Sequence, residues 1–147
     1  MPDPAWTVVV ERVDGVPPVT IPHRVTAGSA CLDLYAAEAV ELSADRVSLV
    51  RTGLKMRCPP GTFLEVRPRS GLSARGVLMV NAPGTIDRDF AGEVKVPLTY
   101  LFEGHYQVAA GDRIAQVRLV PDHPLEFQEG VVETQPSRAG GFGSTGR

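Results

Sequence analysis

At 147 residues, with 15 basic and 17 acidic side chains and a net charge of −2, the chain is long enough for one domain with a real core. That balance excludes the global basic field of a nucleic-acid binder, and no apolar run approaches the roughly 20 residues of a membrane helix. Met1-Pro-Asp-Pro-Ala-Trp6 has neither the basic nor the apolar stretch of a secretory signal, so the chain reads as soluble and cytoplasmic. In chain order, short β-branched runs occupy Thr7–Val13, Val47–Thr52, Phe63–Val66, Val77–Val80, Glu93–Leu101, Ile114–Val120 and Leu125–Val132. The 15 glycines and 13 prolines punctuate these runs rather than pooling in a linker. Alternation from Arg113 to Val120 puts Ile114, Gln116, Arg118 and Val120 on one predicted face. Alternating runs broken by frequent turn signals argue for an all-β sandwich or barrel, not βαβ units. At most one helical turn is expected, after Ser70, through Leu72, Ser73, Ala74 and Arg75. Residues 1–136 read as a single β domain. From Glu133 onward the only large apolar residue is Phe142, and residues 137–147 are predicted to be a flexible glycine-rich arm. Its arginines, small residues and single ring suit the wrapping of a phosphorylated ligand by backbone N–H groups.

Much common chemistry is missing. Cys31 and Cys58 show no CxxC spacing and read as reduced thiols, and His23, His105 and His123 are isolated. No lysine precedes Ser144 to make a P-loop, and there is neither a GxGxxG fingerprint nor a GxSxG elbow. Carboxylates, arginines, hydroxyls and backbone amides remain, an inventory that fits phosphate chemistry assisted by a hard cation such as Mg²⁺. The richest stretch is Asn81–Val94, where one amide, the carboxylates of Asp87 and Asp89 and the ring of Phe90 stand near Gly84 and Gly92. Those glycines are expected to permit tight backbone geometry. Asp87 fits either of two roles, a turn residue capping its own backbone or a general base beside a bound ligand.

Five segments, in order, resemble the five motifs of the trimeric dUTP pyrophosphatase (dUTPase) family. They are Ala27–Ala36, Pro68–Leu72, Asn81–Val94, Gly111–Gln116 and Gly140–Gly146, and the resemblance spans roughly residues 20–147. It implies a jelly-roll-like β-barrel, a homotrimer with shared active sites, and Mg²⁺-dependent hydrolysis of dUTP to dUMP and pyrophosphate. Such an activity limits uracil in DNA and supplies dUMP for dTMP synthesis. Carried onto this chain, Asp87 becomes the catalytic carboxylate that activates water for in-line attack at the α-phosphorus, with Asp89 holding the hairpin. Asn81, Gly84, Thr85 and Ile86 read uracil, and Phe90 packs on deoxyribose where the family usually has tyrosine. Arg69, Ser70 and Gly71 grip phosphate, while Gln116 and Asp33 steady the water shell of the metal. Phe142 stacks over the base, and Gly143, Ser144 and Thr145 close on the phosphates. Arg138, four residues before Phe142 where the family commonly has five, reaches the γ-phosphate. Two rivals remain: a dCTP deaminase on the same fold, and a homologue that binds nucleotide without turnover.

Overall fold

The computed structural model describes residues 6–133, which form eleven strands and one short helix. Four antiparallel sheets enclose one core. The largest runs in the order β2 (Leu32–Tyr35), β11 (Arg113–Pro121), β6 (Thr62–Arg67), β8 (Gly84–Ile86). A three-stranded sheet joins β4 (Ser48–Arg51), β9 (Lys95–Tyr100) and β7 (Val77–Met79). Two pairs complete the shell, β1 (Val9–Arg12) with β5 (Leu54–Arg57) and β3 (Val40–Ser43) with β10 (His105–Val108).

Strands β5, β6, β7 and β8 turn alternate residues inward, as a pleated backbone with one wet face requires. On β6, Thr62, Leu64 and Val66 are buried while Phe63, Glu65 and Arg67 face outward. Leu34, Leu42, Leu54, Val50, Val96, Leu98 and Ile114 meet in the core, each no more than 1% exposed. The helical turn after Ser70 forms as expected, as α1 (Ser70–Ser73).

Two expectations need correction. Residues 125–132 form no strand; Leu125, Phe127, Val131 and Val132 stand exposed, because no edge within the described chain pairs with them. The predicted face of β11 is broken by a bulge between Arg113 and Ala115, so Ile114 is buried with Ala115 and Val117 instead of lying with Gln116. Arg69 holds the N-cap position of α1, without a side-chain cap bond.

The β4–β5 turn carries a buried polar tie. The Thr52 hydroxyl, fully buried, donates to the Val94 carbonyl at 2.6 Å and accepts from the Leu54 amide at 3.3 Å. Thr52→Val takes the acceptor from the Leu54 amide in a dry interior and leaves the Val94 carbonyl only the Thr52 amide at 3.3 Å, and is expected to lower stability by about 1–3 kcal/mol, readable as a shifted urea midpoint.

Candidate active site

The four-stranded sheet gathers segments far apart in sequence. Gln116 on β11 lies opposite Asp33 on β2 and opposite Arg67 on β6, and one row away Arg118 faces Glu65, which faces Thr85 on β8. Two transverse polar rows therefore cross the outer face of this sheet. Four of the five sequence segments sit on its strands or at their ends.

At the end of β6 the chain turns into α1 and presents Arg69. Its Nε donates to Asp33 Oδ1 at 2.8 Å and its Nη1 to the Arg113 carbonyl at 3.4 Å. Arg113 Nη1 lies 3.6 Å from Asp33 Oδ2. One carboxylate against two guanidinium groups leaves the cluster net positive, while Arg69 Nη2 has no partner among the described residues. Gln116 Nε2 donates to the Pro68 carbonyl at 2.9 Å, which leaves its amide oxygen to accept. Ser70 and Gly71 are exposed, and a Cβ at Gly71 would meet nothing within 4 Å, so the backbone there is open to a ligand. A preorganised fork, a hydroxyl and bare amides form a surface for an anion.

Beside β8 lies a cleft of about 470 Å³ lined by Asn81, Gly84, Thr85, Ile86, Asp87, Phe90 and Gly92 together with Glu93. β8 is the last strand of its sheet, bonded to β6 on one side alone, so its other edge offers backbone donors and acceptors. Asp87 follows that edge directly. Its carboxylate is exposed and makes no hydrogen bond or ion pair among the described residues, so it does not cap its own turn. Asp89 likewise makes no side-chain bond there. A second, larger cleft of about 780 Å³ beneath β1 contains Arg24 and Arg118 but no carboxylate, and offers no general base.

Sequence reasoning missed Glu93. Both of its oxygens stand 3.1 Å from Arg51 Nε, and Oε1 also accepts from the Gly53 amide at 2.9 Å. The Val94 amide donates to the Leu54 carbonyl at 2.8 Å. Together these bonds pin the returning leg of the Asp87 hairpin to the β4–β5 turn. Nothing in the local pattern marks Glu93, because its partners lie about forty residues upstream in the chain.

Among the described residues, the cleft walls include none of Asp33, Arg69, Ser70, Gly71 or Gln116. Gly84 and Gly92 also differ from expectation. Neither adopts the left-handed conformation, unlike Gly53, Gly76 or Gly111, so backbone freedom is not why they are glycine. Arg138, Phe142, Gly143, Ser144 and Thr145, with the whole 137–147 arm, lie outside the described residues.

The family model described as dUTPase matches residues 18–146. The deoxyuridine 5'-triphosphate nucleotidohydrolase of Anaeromyxobacter sp. (strain Fw109-5) is 49% identical over 146 residues, covering 96% of this chain and 98% of the relative. The enzyme of the same name from Solibacter usitatus (strain Ellin6076) is 45% identical over 122 residues, 82% of this chain and 83% of the relative. Among solved structures, the dUTPase of Streptococcus mutans superposes with a TM-score of 0.74 at 26% identity, covering 80% of this chain and 98% of that one. The Staphylococcus bacteriophage 80alpha dUTPase with dUPNHPP superposes at a TM-score of 0.81 and 22% identity, over 95% and 98% of the two chains, a likeness of fold. These neighbours give the eleven strands their architecture, the jelly-roll-like β-barrel.

Proposed function

The chain belongs to the dUTPase family, and from that premise we propose that it hydrolyses dUTP to dUMP and pyrophosphate by water attack at the α-phosphorus. The observation that carries this reading is an Asp87 carboxylate that, among the described residues, has no partner and shares one cleft with the Asn81 amide, the open edge of β8 and the Phe90 ring. Uracil needs a donor and acceptors in fixed order, which a strand edge and an amide supply. Cytosine would leave those buried groups mismatched. The Phe90 ring packs the deoxyribose and denies space to a 2′-hydroxyl. Asp87 then accepts the proton of a water set beside the sugar, and the developing phosphate charge meets Arg69, Ser70 and the Gly71 amide.

The phosphate cluster also suits Mg²⁺. Its acceptors are oxygens, the Gln116 amide oxygen and the Asp33 carboxylate, and among the described residues no set of three carboxylate, imidazole or thiol groups converges to hold an ion directly. That fits an ion ligated mainly by the triphosphate and held here through its waters. Bound with the substrate, Mg²⁺ supplies the positive charge that neutralises the phosphate oxygens. Residues 137–147 complete the enclosure, with Phe142 over the base, Gly143, Ser144 and Thr145 on the phosphates and Arg138 on the γ-phosphate. Removing residues 137–147 is expected to abolish most turnover while leaving Tm close to the full-length value.

A homotrimer with shared sites would account for two features: a cleft whose described walls include none of the phosphate-cluster residues, and the exposed apolar side chains of residues 125–132. The activity limits uracil in DNA and supplies dUMP for dTMP synthesis, in the cytoplasm. Among the described residues no helix is long and apolar enough to cross a membrane.

The test is pyrophosphate and ammonia release measured in parallel from dUTP, dCTP, dTTP and UTP. Pyrophosphate from dUTP alone is expected. Ammonia from dCTP would favour a deaminase, although the one glutamate in the cleft, Glu93, has both oxygens engaged by Arg51. Binding without any product would favour a non-catalytic homologue.

A further inference from the structure

A Cβ built on Gly92 would stand 2.7 Å from Phe90 Cζ, 3.2 Å from Cε2 and 3.4 Å from Cε1. The Phe90 ring therefore lies across the bare α-carbon of Gly92, with 46% of the residue still exposed. Both residues line the cleft that holds Asp87. The backbone at Gly92 is ordinary, so an alanine meets no strain in φ; the only obstacle is the ring. We propose that Gly92 is a specificity-determining residue, whose missing side chain lets the Phe90 ring seat low against the backbone and so fixes the wall of the sugar subsite. This inference rests on reading the cleft as a deoxyuridine nucleotide site.

The atom in the way is the far end of a two-torsion side chain with solvent on its open side. A methyl group at position 92 is relieved by swinging that ring outward, not by moving the chain. Stability then changes little, while the wall that packs the sugar and excludes a 2′-hydroxyl moves away. Gly84 shows a milder form of the same arrangement. A Cβ there would sit 3.1 Å from Met79 Cε and 3.2 Å from Asn81 Nδ2, a tight contact that flexible side chains absorb. Gly92, with its contact below 3.0 Å, is the stronger case.

The experiment measures kcat/KM for dUTP and for UTP, with Tm, for the wild type, Gly92→Ala, Phe90→Ala and the double variant. Gly92→Ala is expected to lower the dUTP/UTP ratio about tenfold, the scale of a misplaced apolar contact in a binding pocket. Added to Phe90→Ala, it is expected to change the ratio by less than about twofold, because the two act through one ring. An unchanged ratio in Gly92→Ala, or full additivity in the double variant, overturns the inference. Should Gly92→Ala fail to fold, the double variant decides. Recovery of folding supports the clash with the ring, and continued failure assigns Gly92 a backbone role and overturns it. A wild-type protein without dUTP turnover would defeat the reading of the whole cleft, and this inference with it. Normal wild-type turnover with unmoved selectivity in Gly92→Ala defeats the inference alone.

Discussion

Asp87→Asn is expected to lower kcat on dUTP by about 10²–10⁴, the usual loss with a general base, while KM and Tm stay near wild-type values. The substitution keeps size and shape, so the hairpin has no reason to rearrange. Its anchors lie elsewhere, in Glu93 on Arg51 and Gly53 and in Val94 on Leu54. Because the Asp87 carboxylate has no partner among the described residues, its loss orphans no donor and removes only what it does to a bound ligand or water. An amide still accepts a hydrogen bond but takes up no proton at neutral pH. Steady-state kinetics alongside thermal melts separate the two roles. Near-normal kcat would remove Asp87 from the chemistry, and a large fall in Tm would make it structural.

Arg69→Ala is expected to cost about 10²–10³ in kcat, the range for losing one preorganised donor to developing charge. The guanidinium is held by Asp33 at 2.8 Å and by the Arg113 carbonyl at 3.4 Å, so it waits in position before substrate arrives. Arg69→Lys is expected to recover little, because a point charge cannot bond Asp33 and still present a planar fork. Asp33 holds the Arg69 guanidinium, so on the proposed reading it would act on phosphate partly through Arg69. Asp33→Asn should therefore lower kcat in the wild type, yet add little in an Arg69→Ala background. Additive losses in that cycle would detach Asp33 from Arg69 and leave it with the metal's waters alone.

Much of the barrel was legible because β-branched alternation and turn residues mark strands whose one face is buried. β4, β6, β7, β9 and β11 fall within a residue or two of the predicted runs, and β1 occupies the middle of Thr7–Val13. β8 was not, since Gly84-Thr85-Ile86 offers a single apolar side chain and is a strand only because β6 supplies its partner. β5 and β10 escaped for a similar reason: basic or polar residues alternate with buried Leu54, Met56 and Val108, which reads as a loop until the facing strand is known. Leu125–Val132 failed in the opposite direction. Its pattern is that of a strand, but a strand needs a partner, and no strand of the described chain pairs with it.

At the site, motif order picked out four segments that the fold gathers at one sheet, and the structure supplied what spacing cannot. Asn81 through Phe90 share one cleft, while Arg69, Asp33 and Gln116 form a separate cluster joined by strand register. Glu93 and Arg113 went unseen because their roles depend on contacts forty or more residues distant. Glycine at 84 and 92 looked like backbone freedom, but neither adopts the left-handed conformation, and a Cβ would crowd Met79 and Asn81 at position 84 and the Phe90 ring at position 92. No local pattern separates these two uses of glycine.

Hydrolysis of dUTP in oxygen-18 water, read by mass spectrometry of both products, tests most directly whether water attacks the innermost phosphorus. One labelled oxygen in dUMP and none in pyrophosphate is the expected result. Label in the pyrophosphate would mean attack at the β-phosphorus and would contradict the account of the site.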